Sequence, residues 1–149
     1  MPVTLRRRVR SQAGFTLVEL LVVMIVLGML AALALPAFFS QRQKAYDAEA
    51  QVYLRTADTA IEIYATDRGG NYGGATIAEL QAIEPALKAV DEADLTIGTG
   101  IAGLRYRLGL VSSSGNQFWI RRRTNGEILY PCTTAGTGGC REDGSWGGS

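Results

Sequence analysis

Few residues in this chain have the type and spacing to do chemistry. Its 149 residues include no histidine and two cysteines. Without imidazole there is no His-based nucleophilic triad, and the commonest general base and most zinc sites are excluded. Cys132 and Cys140 stand with seven residues between them, and one thiol pair cannot supply a four-ligand zinc cluster. Glu142-Asp143-Gly144-Ser145 offers oxygen ligands for calcium, yet it lacks the spacing of a dedicated loop. Gly98-Thr99-Gly100-Ile101-Ala102-Gly103 fits the dinucleotide fingerprint by letter. A phosphate cradle needs a helix beginning there, and the residues that follow alternate like a strand. Arg121-Arg122-Arg123, beside Phe118 and Trp119, could hold a nucleic-acid backbone through charge and stacking. Strand alternation divides those arginines between two faces, and charge protection of an edge strand is the plainer reading. No coherent acid–base pair emerges, so the sequence argues against an enzyme and implies no cofactor or metal. One carboxylate, Glu19, stands in an unusual setting.

That setting is an apolar run covering residues 14–39. From Leu20 to Phe39 no residue is charged. A helix of that length covers about 30 Å, the thickness of a bilayer's hydrocarbon core. Arg6, Arg7, Arg8 and Arg10 precede it with no acid among them, leaving eleven basic and fourteen acidic groups in residues 15–149. Positive residues beside a span favour the cytoplasmic side, so the remainder of the chain is expected to be exported. In that compartment Cys132 and Cys140 are expected to form a disulfide, with two reduced surface thiols as the alternative. Ala32-Leu33-Ala34 is only a faint match to a secretory cleavage site, and the apolar run is long for a signal peptide.

A basic leader ending in Gly14, followed by Phe15-Thr16-Leu17-Val18-Glu19-Leu20-Leu21-Val22-Val23, resembles the start of type IV prepilins and type II secretion pseudopilins. The resemblance covers roughly residues 6–39. It implies cleavage by a prepilin peptidase between Gly14 and Phe15, and methylation of the new amine on Phe15. It also implies that Glu19 attracts the N-terminal amine of a neighbouring subunit and sets register during assembly. On spacing alone, Thr16-Leu17-Val18-Glu19 equally fits a capping box, in which Glu19 reaches back to a free backbone N–H. Gly28 and Pro36 read as tolerated kinks. By resemblance they bracket a segment that loses helicity in a filament, a helix interruption.

Beyond the apolar run, Tyr46, Ala50, Tyr53, Ala57, Ala60, Ile61 and Tyr64 recur at three- and four-residue steps and make one apolar stripe. Arg42, Lys44, Asp47, Glu49, Arg55, Asp58 and Glu62 are placed on other faces. Helix is expected from about Thr16 to Asp67, roughly 75–80 Å in all, with Gly69-Gly70 as its stop. Thr76-Ile77-Ala78-Glu79 opens a short second helix through about Ile83, and Glu84–Ala89 adds a further turn. Leu104, Tyr106, Leu108 and Leu110 alternate with polar residues as a half-buried strand. Phe118, Ile120 and Arg122 follow, and Asn125-Gly126 turns the chain into a third strand over Glu127–Tyr130. The glycine-rich tail from Pro131 has too little apolar content to hold itself by packing. A Cys132–Cys140 bridge would restrain it.

The expected class is α+β: a type IV pilin-like fold, with a long N-terminal helix packed on a C-terminal antiparallel meander. Its regions are a basic leader (1–14), a transmembrane and assembly half-helix (15–39), an amphipathic half-helix (40–68), and a connecting region with sheet and disulfide loop (69–149). The resemblance implies a structural subunit, held first in the inner membrane with its N-terminus cytoplasmic and then polymerised into a surface filament. It also implies partners: other copies of the chain, a prepilin peptidase/methyltransferase, an assembly platform with its ATPase, and membrane lipid before assembly. A secretion pseudopilin, which by resemblance has a C-terminal calcium loop, and a membrane-anchored DNA- or ligand-binding protein that never polymerises are the alternatives.

Overall fold

The computed structural model describes residues 14–147, so the leader's arginines lie outside the described residues. Two units are distinguished, one ending at Ala37 and one beginning at Phe38. Helix α1, Leu17–Thr66, passes from the first into the second.

In the first unit, Thr16 starts α1 by accepting a hydrogen bond from the Glu19 backbone N–H on its hydroxyl at 3.2 Å. This is the N-cap half of the expected capping box. The helix continues through Gly28 and Pro36; the helix interruption that the resemblance implies there concerns the filament and not the single chain. Proline removes one donor to the carbonyl four residues earlier, and the flanking turns carry the helix past it.

In the second unit α1 buries Asp47, Ala50, Leu54, Ala57, Ala60, Ile61, Tyr64 and Ala65. These follow three- and four-residue steps, as the stripe predicts, but the details differ. Leu54 takes the centre of the stripe while Tyr46 and Tyr53 sit half-buried at its edges, and Asp47, expected on an outer face, is fully buried. The helix closes where the Gly70 N–H donates to the Ala65 carbonyl at 2.8 Å. Gly69 and Gly70 both adopt positive φ there, which glycine does at no steric cost. Helix α2, Ile77–Ile83, has both halves of the Thr76/Glu79 capping box, and a 3-10 turn, Pro85–Ala89, tucks Leu87 into the core.

Four antiparallel strands follow in chain order: β1 Leu95–Thr99, β2 Tyr106–Val111, β3 Gln117–Arg122 and β4 Ile128–Leu129. The sheet therefore has one strand more than the three expected. Strand β1 carries only Leu95 and Ile97 as apolar signals and runs into the glycine-rich stretch that begins at Gly98. Its register, Leu95 opposite Leu110 through Thr99 opposite Tyr106, is fixed by β2. Leu104, expected in the first of the three strands, lies exposed ahead of β2. Tyr106, Leu108, Leu110, Phe118 and Ile120 share one buried cluster with the stripe of α1. On the other face Trp119 lies across Gly109, where an added Cβ would meet the indole at 2.6 Å.

The tail departs from expectation. Trp146 is buried with Phe118 and Tyr130 edge-on to its ring, at centroid distances of 6.0 and 5.3 Å. Its indole N–H donates to the Trp119 carbonyl at 2.9 Å, and the Arg55 guanidinium lies 5.3 Å from the ring. One aromatic thus ties a glycine-rich segment into the main core. Trp146→Ala is expected to cost about 3–5 kcal/mol of stability, measured by urea unfolding of the full chain in detergent. A loss under about 1 kcal/mol would mean that the disulfide alone holds the tail.

Candidate functional site

The first candidate surface is the exposed apolar stretch of α1. An 18-residue window there has mean hydropathy 2.7, none of it is buried within the chain, and the helix is long and apolar enough to cross a membrane. Leu17 and Leu33 expose about four-fifths of their surface (81% and 80%). An apolar surface of this extent marks association with lipid or with other chains. Glu19 is the single ionisable side chain in residues 15–39. Among the described residues its carboxylate has no partner, although its backbone N–H is taken by Thr16. A carboxylate at the margin of hydrocarbon calls for a cation. Phe15 lies four residues earlier, one helical turn away in sequence, at the boundary with Gly14.

The second unit is tied together by two polar clusters that the sequence did not announce. In the first, the fully buried Asp47 carboxylate accepts from the Ser114 hydroxyl. It also accepts from the Asn116 side-chain amide and the Gly139 N–H, each at 2.8 Å. Gln51 completes the contact by donating to the Gly139 carbonyl at 3.1 Å. One side chain of α1 therefore holds both the β2–β3 turn and the loop closed by the Cys132–Cys140 disulfide, whose Cα atoms are 5.9 Å apart. Gly138, at φ +58°, is needed there because a Cβ would strike the Asp47 carboxylate. Burial pushes the Asp47 carboxyl up, but hydrogen bonds from Ser114, Gly139, Ser112 and Asn116 outweigh it and hold the group below the usual carboxylate range.

The second cluster joins α1 to β2, β3 and the loop before α2. Tyr106 donates to Asp58 at 2.5 Å and lies 3.1 Å from Glu62. Tyr72 donates to the other Glu62 oxygen at 2.7 Å, and Arg122 pairs with Glu62 at 2.9 Å. Burial, reinforced by the Glu62 charge, raises Asp58 above its ordinary value against the opposing hydrogen bond from Tyr106. Burial and the Glu62 hydrogen bond push the Tyr72 phenol up to about 12, and Tyr106 is raised as well. Both tyrosines remain protonated donors at neutral pH.

The remaining motifs resolve locally. Arg122 turns inward to Glu62, Arg121 stays outside with its guanidinium 5.6 Å from the Trp119 ring, and Arg123 pairs with Glu127 at 2.9 Å. The triplet is split as the alternation predicts. Asp143 accepts from the Ser145 N–H and hydroxyl at 2.9 and 2.6 Å, which lowers its carboxyl while closing a tight turn. Among the described residues no group of three or more His, Cys, Asp or Glu is placed to hold a metal. Residues 98–103 leave β1 through a 3-10 turn, Ile101–Gly103, toward β2, with no α-helix opening there. The missed Asp47 did have a signal: it stands three residues before Ala50 and seven before Leu54, in phase with the stripe.

The two aspartates predict opposite pH effects. Asp47, lowered in the folded state, contributes stability that is complete above its unfolded value near 4 and lost as pH falls through the lower folded value. Asp58, raised, costs stability at neutral pH, and this cost is relieved as acidification passes through the raised value. Asp47→Asn is expected to destabilise by about 1–3 kcal/mol at pH 7 and to flatten the acid limb of unfolding. Asp58→Asn is expected to remove the gain on mild acidification, read from urea midpoints across pH 3–7.

Comparison with known proteins gives the site its context. Residues 9–35 match the family described as the prokaryotic N-terminal methylation motif. The type II secretion system core protein G of Vibrio cholerae is 33% identical over 61 residues, 41% of this chain and 42% of that protein. The match thus spans about two fifths of that relative's length. The type IV wide pilus major component PilA4 of Thermus thermophilus is 29% identical over 128 residues, 86% of this chain and 93% of that protein. A fimbrial protein of Neisseria meningitidis is 28% identical over 125 residues, 81% of this chain and 72% of that protein. No solved structure matches the chain.

Proposed function

We propose that this chain, a relative of type IV pilins and type II secretion pseudopilins, is a prepilin-type structural subunit. It is cleaved between Gly14 and Phe15, methylated on Phe15, and polymerised into a surface filament. The observation that carries the reading is the conjunction at the start of α1: an exposed apolar helix bearing one carboxylate without a partner among the described residues, one turn beyond a Gly-Phe boundary. In the precursor, the apolar residues lie in the membrane and the basic leader stays on the cytoplasmic side. After cleavage, the Phe15 amine of one subunit pairs with Glu19 of the next, because burial among helices leaves the carboxylate no other cation. Lipid is exchanged for neighbouring copies of the same helix. Prepilin peptidase supplies the processing, and a platform with an ATPase supplies the work.

Gly28 and Pro36 are the proposed place where the helix gives way inside the filament. Each weakens helical hydrogen bonding locally, and neighbouring subunits can compensate there. A pseudopilin role has support in the match to secretion core protein G, which covers 41% of this chain. The pilus reading is favoured by similarity running through the second unit to pilus and fimbrial proteins, and by the Cys132–Cys140 bridge.

Glu19→Ala is expected to leave membrane insertion intact while cutting recovered filament at least tenfold, scored by electron microscopy and immunoblot of sheared fibres. Undiminished fibre from that variant would sink the pairing mechanism. Gly14→Leu is expected to leave the leader attached, so that the intact mass of the mature protein includes residues 1–14. Filament subunits of the unaltered chain that still begin at Met1 would contradict the processing step.

A further inference from the structure

The sheet of the second unit is electrically polarised along its strands. At the end where β1 finishes and β2 begins, a cleft of about 700 Å³ is lined by eleven residues, five of them arginines and none acidic. Two of the five, Arg122 and Arg123, are already paired with Glu62 and Glu127. Arg105, Arg107 and Arg121 make no ion pair among the described residues, and all three are exposed. Arg107 and Arg121 stand directly opposite one another in the β2–β3 register. Like charges facing across a ladder destabilise it, so the arrangement gains from a counter-charge brought from outside the chain.

The opposite end of the sheet supplies that charge. Asp91, Glu92 and Asp94 are exposed in the approach to β1, and no basic residue occurs between Lys88 and Arg105. The Val111 N–H bonds the Asp94 carbonyl, which fixes this acidic edge to the far end of β2. Arg107 stands opposite Gly98, four residues along the strand from Asp94, which separates the two patches by about 13 Å. We infer that the arginine cleft is a docking site for the acidic edge of a second copy of this chain. Complementary patches at opposite ends of one sheet make a head-to-tail contact. Such a contact is heterologous and repeats from copy to copy, whereas a two-fold contact closes after two.

The inference rests on the filament reading and adds to it a polar contact between neighbouring sheets. A free polyanion is the weaker occupant. Residues 38–149 hold eleven basic and thirteen acidic groups, so long-range attraction for a polyanion is lacking. A neighbouring copy held in the same filament brings its acidic edge at high effective concentration.

The test reverses each patch in the full-length chain: Arg107→Glu with Arg121→Glu, then Asp91→Lys with Glu92→Lys and Asp94→Lys, then all five. Each set alone is expected to lower sheared-fibre yield at least tenfold, and the combination to recover to within about threefold of the unaltered chain. Unchanged yield from both sets, or no recovery in the combination, overturns the contact. If reversal lowers the amount of folded chain in the membrane, Asp94→Cys combined with Arg107→Cys decides instead. Oxidised fibres of that variant should give a ladder of multimers without reducing agent, and monomer alone overturns the proposal. Fluorescent single-stranded oligonucleotide retained by unaltered fibres and lost from the arginine variant, at unchanged fibre yield, would assign the cleft to a polyanion. Absence of fibres from the unaltered chain defeats the filament reading itself and the contact with it.

Discussion

Helix α1, which loses a backbone hydrogen bond at Pro36, has to satisfy two different coverings. Along its N-terminal stretch nearly every side chain is apolar and uncovered, so its stability depends on lipid or other helices. Along its C-terminal stretch a single stripe is sealed by the sheet and the remaining faces are charged. The residues chosen for that stripe follow from the demand for close approach. Ala50, Ala57, Ala60 and Ala65 are small, while Leu54, Ile61 and Tyr64 fill the spaces between them. These residues share one buried cluster with Leu108, Leu110, Phe118 and Ile120 of the sheet, and dense packing is where a small core gains most of its stability.

Apolar packing alone would let the sheet slide along such a stripe. The buried polar contacts at its two ends remove that freedom. Asp47 holds the β2–β3 turn and the disulfide loop at one end, and Glu62 with Asp58 collects Tyr72, Tyr106 and Arg122 at the other. Hydrogen bonds of this kind add little net stability when satisfied, yet they are costly to leave unmade. They therefore select one register from several apolar alternatives of similar energy.

The elements with a strong local period were legible in the sequence: both stretches of α1, the Thr76 capping box, strands β2 and β3, and the Asn125-Gly126 turn. The misreadings share a physical cause. Strand β1 has two apolar residues and borrows its order from β2. Asp47 and Trp146 are placed by partners 67 and 27 residues away in sequence, and only the phase of Asp47 with the apolar stripe points to its burial locally. Type alone sends an aspartate outward and makes a glycine-rich tail look unsupported. The reading of the Gly14-Phe15 boundary and of Glu19 rests on neighbours within one helical turn, and so on local sequence alone.

The disulfide loop divides into a pinned base and an open tip. Gly138 and Gly139 are fixed against Asp47 and Gln51, where any added side chain collides. Thr134 and Ala135, by contrast, are exposed, and neither side chain is drawn into the Asp47 contacts that hold the base. The fold thus separates the positions that must keep their shape from those free to drift. A foreign peptide grafted between Thr134 and Ala135 would be carried at every subunit of an assembled polymer, with its two ends clamped by a covalent ring and a buried carboxylate.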